Sequence, residues 1–337
     1  MNSSNELGIS VIVCCYNSAI RLPETLKRLA LQQVSEIVSW ELIVIDNASI
    51  DNTFEVAKYE WQKYNTNIPF RVVKQPKPGL TFAREMGVEC SKFSFILFCD
   101  DDNWLTPNYL ELGFSILKEF DEVGIVGGKG EVVSDVNIPA WYNRYSSFYA
   151  TAPQFNKSGY IDSNKPALYG AGLFIKKEVF TRLNQKGFKS ILTDRKGALL
   201  SSGGDYELCY AATLIGYKLY YDEKLLFYHY MPAERLTINY LQKLTSAIAY
   251  SSIQLLIYLH LINGRKLNKY SWIKDTLYIL KITLKSLFNL LVRENYNQLE
   301  NRIDFKYNYS SLKSIWNMRK MYQTYYLQIA RLISSNK

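Results

Sequence analysis

The chain has 337 residues, 48% of them hydrophobic and 21% charged, with a formal net charge of +9. This is an ordinary globular composition, long enough for one large domain or a domain of roughly 230 residues with an appendage. Five cysteines, an odd number without a CxxC pair, exclude a disulfide framework and a zinc cluster, and the polar start "MNSSNELG" lacks the regions of a signal peptide, so a reduced cytoplasmic setting is expected. The charge is uneven: residues 236–337 hold fifteen Lys and Arg against four acids, which leaves the rest nearly neutral. A basic C-terminal third points to an anionic surface, either nucleic acid or a membrane face.

In chain order, apolar runs of strand length alternate with helix-period stretches. "ISVIVCCY" (9–16) is followed by "LPETLKRLALQQ", "WELIVID" (40–46) by "DNTFEVAKYEWQKY", and "FRVVKQ" (70–75) by "GLTFAREMGVEC". "FSFILFCD" (93–100) then precedes "PNYLELGFSILKEF", and "VGIVGG" (123–128) closes the series. Such units predict an α/β fold with a mostly parallel central sheet flanked by helices. Ligands in these sheets bind beyond the carboxyl ends of the strands. The first strand ends in "CYNSAI", which contains no glycine, and the chain has no GxxxxGK[ST]. Dinucleotide-binding and P-loop chemistries are thereby excluded.

From Leu236 the pattern turns helical. Residues 244–264 carry no formal charge apart from a proton on His260, but their Ser, Thr, Gln and His make a poor membrane span. In "TLYILKITLKSLFNLLV" (276–292), Lys281 and Lys285 stand four apart on an otherwise apolar helix. Two readings stay open: an amphipathic hairpin lying in a membrane interface, or helices packed on the body or on a second subunit.

The most informative stretch is "FILFCDDDNWLTP" (95–107), where an apolar strand runs into Asp100, Asp101 and Asp102. Adjacent carboxylates repel unless compensated, and hard divalent cations bind oxygen ligands while keeping positions for phosphate oxygens. If the chain stays extended, Asp100 and Asp102 address one site and Asp101 points away. Mn2+ or Mg2+ is the expected cofactor. A solvated acidic turn, or the N-cap of the following helix, is the plainer alternative.

These segments, with "ELIVIDNASIDNT", "YGAGLFIKKEVF" and "GGDYELCYAATLIGYKL", occur in the order seen in inverting glycosyltransferases of family 2, which have the GT-A fold; the chain resembles that family over about residues 7–235. The resemblance implies a catalytic domain over 1–235, with a nucleotide-sugar half at 1–128 and an acceptor half at 129–235, followed by a basic helical region at 236–337. It implies that Cys15, Tyr16, Asn17, Asp46 and Arg84 contact the nucleotide together with Asp100 and Asp101. Asp102, Asp100 and His229 would hold the metal, and Asp205 would be the catalytic base. Each has a local alternative: Asp46 capping "DNAS", Arg84 as a surface arginine, Asp205 as an N-cap, His229 as a structural hydrogen-bonder. The family usually has Glu where this chain has Gly204. Trp104, Trp141, the "YGAGLFI" segment with Gly172, and Glu207 are candidates for the acceptor side, with core packing as the alternative.

The implied reaction moves a sugar from a nucleotide-diphosphate donor, UDP-sugar first, to a glycan or lipid-linked acceptor in surface-polysaccharide assembly, at the cytoplasmic membrane face. Two rivals remain. A sugar nucleotidylyltransferase would want a glycine-rich, Lys/Arg-bearing loop, which "CYNSAIRLP" does not provide. A non-catalytic membrane or nucleic-acid-binding protein on a transferase body is disfavoured by the intact acids and by basic residues that form no recognisable nucleic-acid module.

Overall fold

A computed structural model describes residues 6–162, 164–192, 202–292 and 298–333. Ser201 of the glycine-rich turn, and Arg293, Glu294 and Lys337 of the basic third, lie outside the described residues. The first half follows the alternation: β1 (Glu6–Cys15), α1 (Leu22–Ala30), β2 (Trp40–Asn47), α2 (Thr53–Gln62), β3 (Phe70–Gln75), α3 (Leu80–Cys90) and β4 (Phe93–Asp100). The short β5 (Asn103–Leu105), α4 (Tyr109–Glu119) and β6 (Val123–Val133) come next. Strands β1 and β2 are buried almost throughout because helices cover both faces, which is why they read as continuous apolar runs rather than alternating ones.

The second half contains α5 (Tyr142–Tyr145), a 3-10 turn at Ser146–Tyr149, β7 (Gly159–Tyr160), β8 (Leu173–Lys176), α6 (Lys177–Gln185), α7 (Gly204–Leu214) and β9 (Lys218–Tyr230). The nine strands form one sheet ordered β3-β2-β1-β4-β8-β6-β9-β5, with β7 on β9. The pairs among β1 to β4 are parallel; β8 enters antiparallel between β4 and β6, and β5 and β7 pair antiparallel with β9. Strand β1 lies between β2 and β4, so the strand order reverses there and opens a crevice beyond their carboxyl ends.

After a 3-10 turn at Ala233–Leu236, the chain continues as α8 (Ile238–Gln254), α9 (Leu256–Ile262), α10 (Ser271–Val292), α11 (Gln298–Met318) and α12 (Tyr322–Ala330). Thr237 caps α8, its side chain accepting from Tyr240 N–H. Ile253, Leu255, Ile257 and Tyr258 share one buried cluster with Ile12, Ile45 and Leu168 of the sheet region and with Ile315, Met318 and Tyr322 further on. The uncharged stretch 244–264 is thus taken up by the body of the protein. Among the described residues no single helix is long and apolar enough to cross a membrane; α8 and α9 pass together only as a pair bent by 43°.

Candidate functional site

A cavity of about 640 Å³ opens at the sheet's switch point. Its walls come from the ends of β1 and β4, the start of α3, the 147–150 turn, residues 169–171, the start of α7, the end of β9 and one face of α8. Cys15, Tyr16, Arg84, Asp100, Asp101, Asp102, Asp205 and His229 all line it, so the structure gathers most of the residues singled out in the sequence.

The acidic tip is arranged differently from the extended D-x-D expectation. Strand β4 ends at Asp100, residues 101 and 102 form a turn, and β5 starts at Asn103. Turning the chain brings Asp101 to the cavity wall instead of away from it, where it pairs with Arg21 at 2.7 Å. Asp102 is 3% exposed; its Oδ2 accepts from Arg235 at 2.8 Å and its Oδ1 lies 3.3 Å from His229 Nε2. Two of the three carboxylates, whose expected counter-charge was a divalent cation, are therefore compensated by the polypeptide itself. Burial pushes the Asp102 carboxyl upward, but Arg235 and His229 override it and hold the group well below the usual carboxylate range. Asp101 is pushed up by burial and by the Asp102 charge, against the pull of Arg21.

Asp100 is half-buried, and its carboxylate makes no hydrogen bond or ion pair with a described residue. Tyr149 C=O lies 2.8 Å from His229 Nδ1, which fixes the proton there and leaves Nε2 facing Asp102. No group of three His, Cys, Asp or Glu side chains is preassembled to hold a metal among the described residues. The ligand set Asp100, Asp102 and His229 is thus brought to one wall but not closed into a site, because Arg235 occupies Asp102. In kind the donors fit a hard divalent cation: an unpartnered carboxylate, a second carboxylate oxygen and an imidazole nitrogen. The cavity also fits an anionic ligand, since Arg21 lines it with a buried Nε that has no acceptor among the described residues.

Asp205 sits in the first turn of α7, after Gly203 at φ 106°, a left-handed conformation that suits glycine. Its Oδ2 accepts from Gly170 N–H at 2.7 Å. A Cβ at Gly170 would stand 3.0 Å from both Arg84 Nη2 and Asp205 Cβ, so this glycine lets the main chain fit between the two. The Arg84 guanidinium lies 5.3 Å over the Phe98 ring.

Other expected residues have different surroundings. Asn17, at φ 50°, is outside the cavity lining and joins β1 to the loop after β2, its N–H donating to Ser49 and its Oδ1 accepting from Ile50. Asp46 is buried behind the wall and accepts from Ser49 N–H, while its neighbour Asn47 lines the cavity. The acceptor candidates need correction. Trp104 stacks on Tyr230 at 5.3 Å away from the cavity, and Trp141 packs beside Tyr142. Gly172, at φ 64°, lies against Tyr109, whose hydroxyl donates to its carbonyl, while Tyr169, Gly170 and Ala171 of the same segment do reach the cavity. Glu207 is 1% exposed and accepts from Ser190 Oγ, Ile191 N–H and Tyr258 Oη, so it anchors the chain rather than meeting a ligand.

Sequence reasoning missed Arg21, although it stands within "CYNSAIRLP"; a lone arginine before a helix carries no local signal of its target. It also missed Phe148, Tyr206, Tyr240, Leu244, Ile248 and Tyr307, which form an uncharged part of the lining and come from four separate segments.

Comparisons with known proteins bear on the family and the fold. The model of the family described as glycosyl transferase family 2 matches residues 10–183. The poly(ribitol-phosphate) β-N-acetylglucosaminyltransferase TarP of Staphylococcus aureus is 29% identical over 204 residues, which is 55% of this chain and 60% of TarP. The chain spans less than two thirds of the length of the curated relatives it matches. Among solved structures, the mannosyltransferase PcManGT of Pyrobaculum calidifontis, in complex with GDP-Man and Mn2+, superposes with a TM-score of 0.57 at 16% identity, covering 93% of this chain and 88% of the other. S. aureus TarS in complex with UDP gives 0.51 at 16% identity, covering 93% and 92%.

Proposed function

Because the chain belongs to glycosyl transferase family 2, we propose that it moves a sugar from a nucleotide-diphosphate donor, UDP-sugar first, to a hydroxyl of a glycan or lipid-linked acceptor in surface-glycan assembly. One observation carries the reading: a carboxylate on α7, Asp205, faces the same cavity as the Asp100–Asp102 tip and three arginines, Arg21, Arg84 and Arg235. A base and anion-binding groups in one cavity are what an inverting displacement at a glycosyl carbon requires.

In this scheme Asp205, oriented by the Gly170 N–H, takes the proton of the attacking hydroxyl. Arg21 and Arg84 engage phosphate or base oxygens, with Arg21 Nε supplying a donor that lacks a partner among the described residues. Asp100, Asp102 Oδ1 and His229 Nε2 are the residues that would hold Mn2+ or Mg2+, whose charge stabilises the departing diphosphate when bound. The aromatic and aliphatic part of the lining then receives the acceptor, since aromatic faces pack on sugars. The cysteine thiols, none in a disulfide among the described residues, are compatible with a reducing, cytoplasmic location.

Calorimetry with UDP and UDP-sugars, with and without Mn2+, tests the reading on wild type, Asp102→Ala and Asp205→Asn. Metal-dependent nucleotide binding lost in Asp102→Ala, with binding kept but transfer reduced about 10²–10⁴-fold in Asp205→Asn, is expected. Release of pyrophosphate would indicate a nucleotidylyltransferase instead, and release of neither product a non-catalytic body.

A further inference from the structure

Helix α10 is amphipathic the wrong way round for a helix packed on a soluble body. Its buried positions are Ser271, Asp275, Ile279, Thr283 and Ser286, four of the five polar. Its solvent side carries Ile273, Leu277, Leu280, Leu284, Phe288 and Leu291, with Leu277 61%, Leu284 56%, Phe288 63% and Leu291 71% exposed. These six recur at spacings of three and four residues, one continuous stripe about 27 Å long at 1.5 Å per residue.

The roll of the helix is fixed from its inner side. Asp275 is held by His260 at 2.9 Å, Arg265 at 3.1 Å and the Tyr322 hydroxyl at 3.0 Å, and Thr283 Oγ1 donates to Asn308 C=O at 3.2 Å. The helix therefore cannot turn its leucines inward without stranding a buried carboxylate. Beside the stripe, on one flank, stand the exposed Lys274, Lys281 and Lys285, and none of the exposed described residues of α10 is acidic. A row of lysines along an apolar stripe matches a surface that is apolar in depth and anionic at its rim. A second copy of the same face would set lysine against lysine across a two-fold axis.

We propose that α10 is a membrane-docking face, seating Leu277, Leu284, Phe288 and Leu291 among the acyl chains of an anionic bilayer with the three lysines at its phosphates. The helix lies in the interface and does not span, in keeping with three lysines and one aspartate in its 22 residues. The proposal is independent of the transfer reaction.

The test is co-sedimentation of the full chain with vesicles of phosphatidylcholine alone and with about 30 mol% phosphatidylglycerol, beside sedimentation velocity without lipid. Wild type is expected to bind the anionic vesicles at least about tenfold more tightly and to lose that advantage at high salt. Leu284→Glu/Phe288→Glu and Lys281→Gln/Lys285→Gln each fall about tenfold or more while their circular dichroism and UDP binding match wild type. Absence of binding to anionic vesicles, or binding unchanged in both double variants, overturns the proposal. So does a concentration-dependent dimer dispersed by Leu284→Glu/Phe288→Glu, which would give the stripe to a second copy.

Discussion

Replacing Arg235 by Gln tests the electrostatics of the acidic tip directly. The guanidinium lies 2.8 Å from Asp102 Oδ2, both groups are largely buried, and at an effective dielectric of about 20 the gross attraction is about 6 kcal/mol. Part of this is offset by the desolvation that Arg235 no longer suffers in the variant, and His229 at 3.3 Å stays to share the charge. The expected net loss is about 2–4 kcal/mol at pH 7, the scale seen when one member of a buried pair is removed. Urea unfolding of wild type, Arg235→Gln, Asp102→Asn and the double variant closes a cycle. In the Asp102→Asn background the loss should shrink below about 1 kcal/mol, because the guanidinium then faces a neutral amide. An equal loss in both backgrounds would refute the argument, since Arg235 would be acting through packing alone. The pH dependence has a definite sign. The Asp102 pKa is depressed in the folded protein, so its contribution is complete above the unfolded carboxylate value of about 3.9 and is lost as pH falls through the lower folded value. The gap between wild type and Arg235→Gln should therefore close only in strong acid.

Two further substitutions probe the supports of the site. Gly170→Ala places a methyl 3.0 Å from Arg84 Nη2 and from Asp205 Cβ, so the two must separate by a few tenths of an ångström; turnover is expected to fall about tenfold or more and UDP binding to weaken with it, measured by nucleoside diphosphate release and calorimetry. Glu207→Gln removes a buried charge yet should destabilise by about 1–3 kcal/mol in urea unfolding, because the Ser190, Ile191 and Tyr258 groups around it all donate and an amide NH2 would meet donors. Burial raises the Glu207 pKa in the folded state, so its contribution is greatest below the unfolded value and declines as pH rises through the folded one.

The parallel half of the fold was legible in local pattern, because a strand covered on both faces must be apolar at every position and its helices must repeat at 3.6 residues; β1 to β4 and α1 to α4 follow from that alone. The acidic tip was legible as well, since three carboxylates after a buried strand demand a partner. What they partner was not. Arg21 and Arg235 lie 80 and 133 residues from Asp101 and Asp102 in the chain, and pairing over such separations depends on where the sheet brings the ends of its strands. For Trp104, Gly172 and Glu207 the residue types suited an acceptor site, but contacts with Tyr230, Tyr109 and Tyr258 place them in the protein's own packing.

The amino-acid sequence by itself determined the α/β order, the cluster of carboxylates at the end of a strand and the basic, apolar character of the last hundred residues. Only the tertiary structure decided that 244–264 turns inward while α10 shows its leucines to solvent. Both segments are apolar enough for either fate, and the choice was made by Asp275, whose buried carboxylate reaches its partners His260, Arg265 and Tyr322 only when α10 is rolled stripe outward.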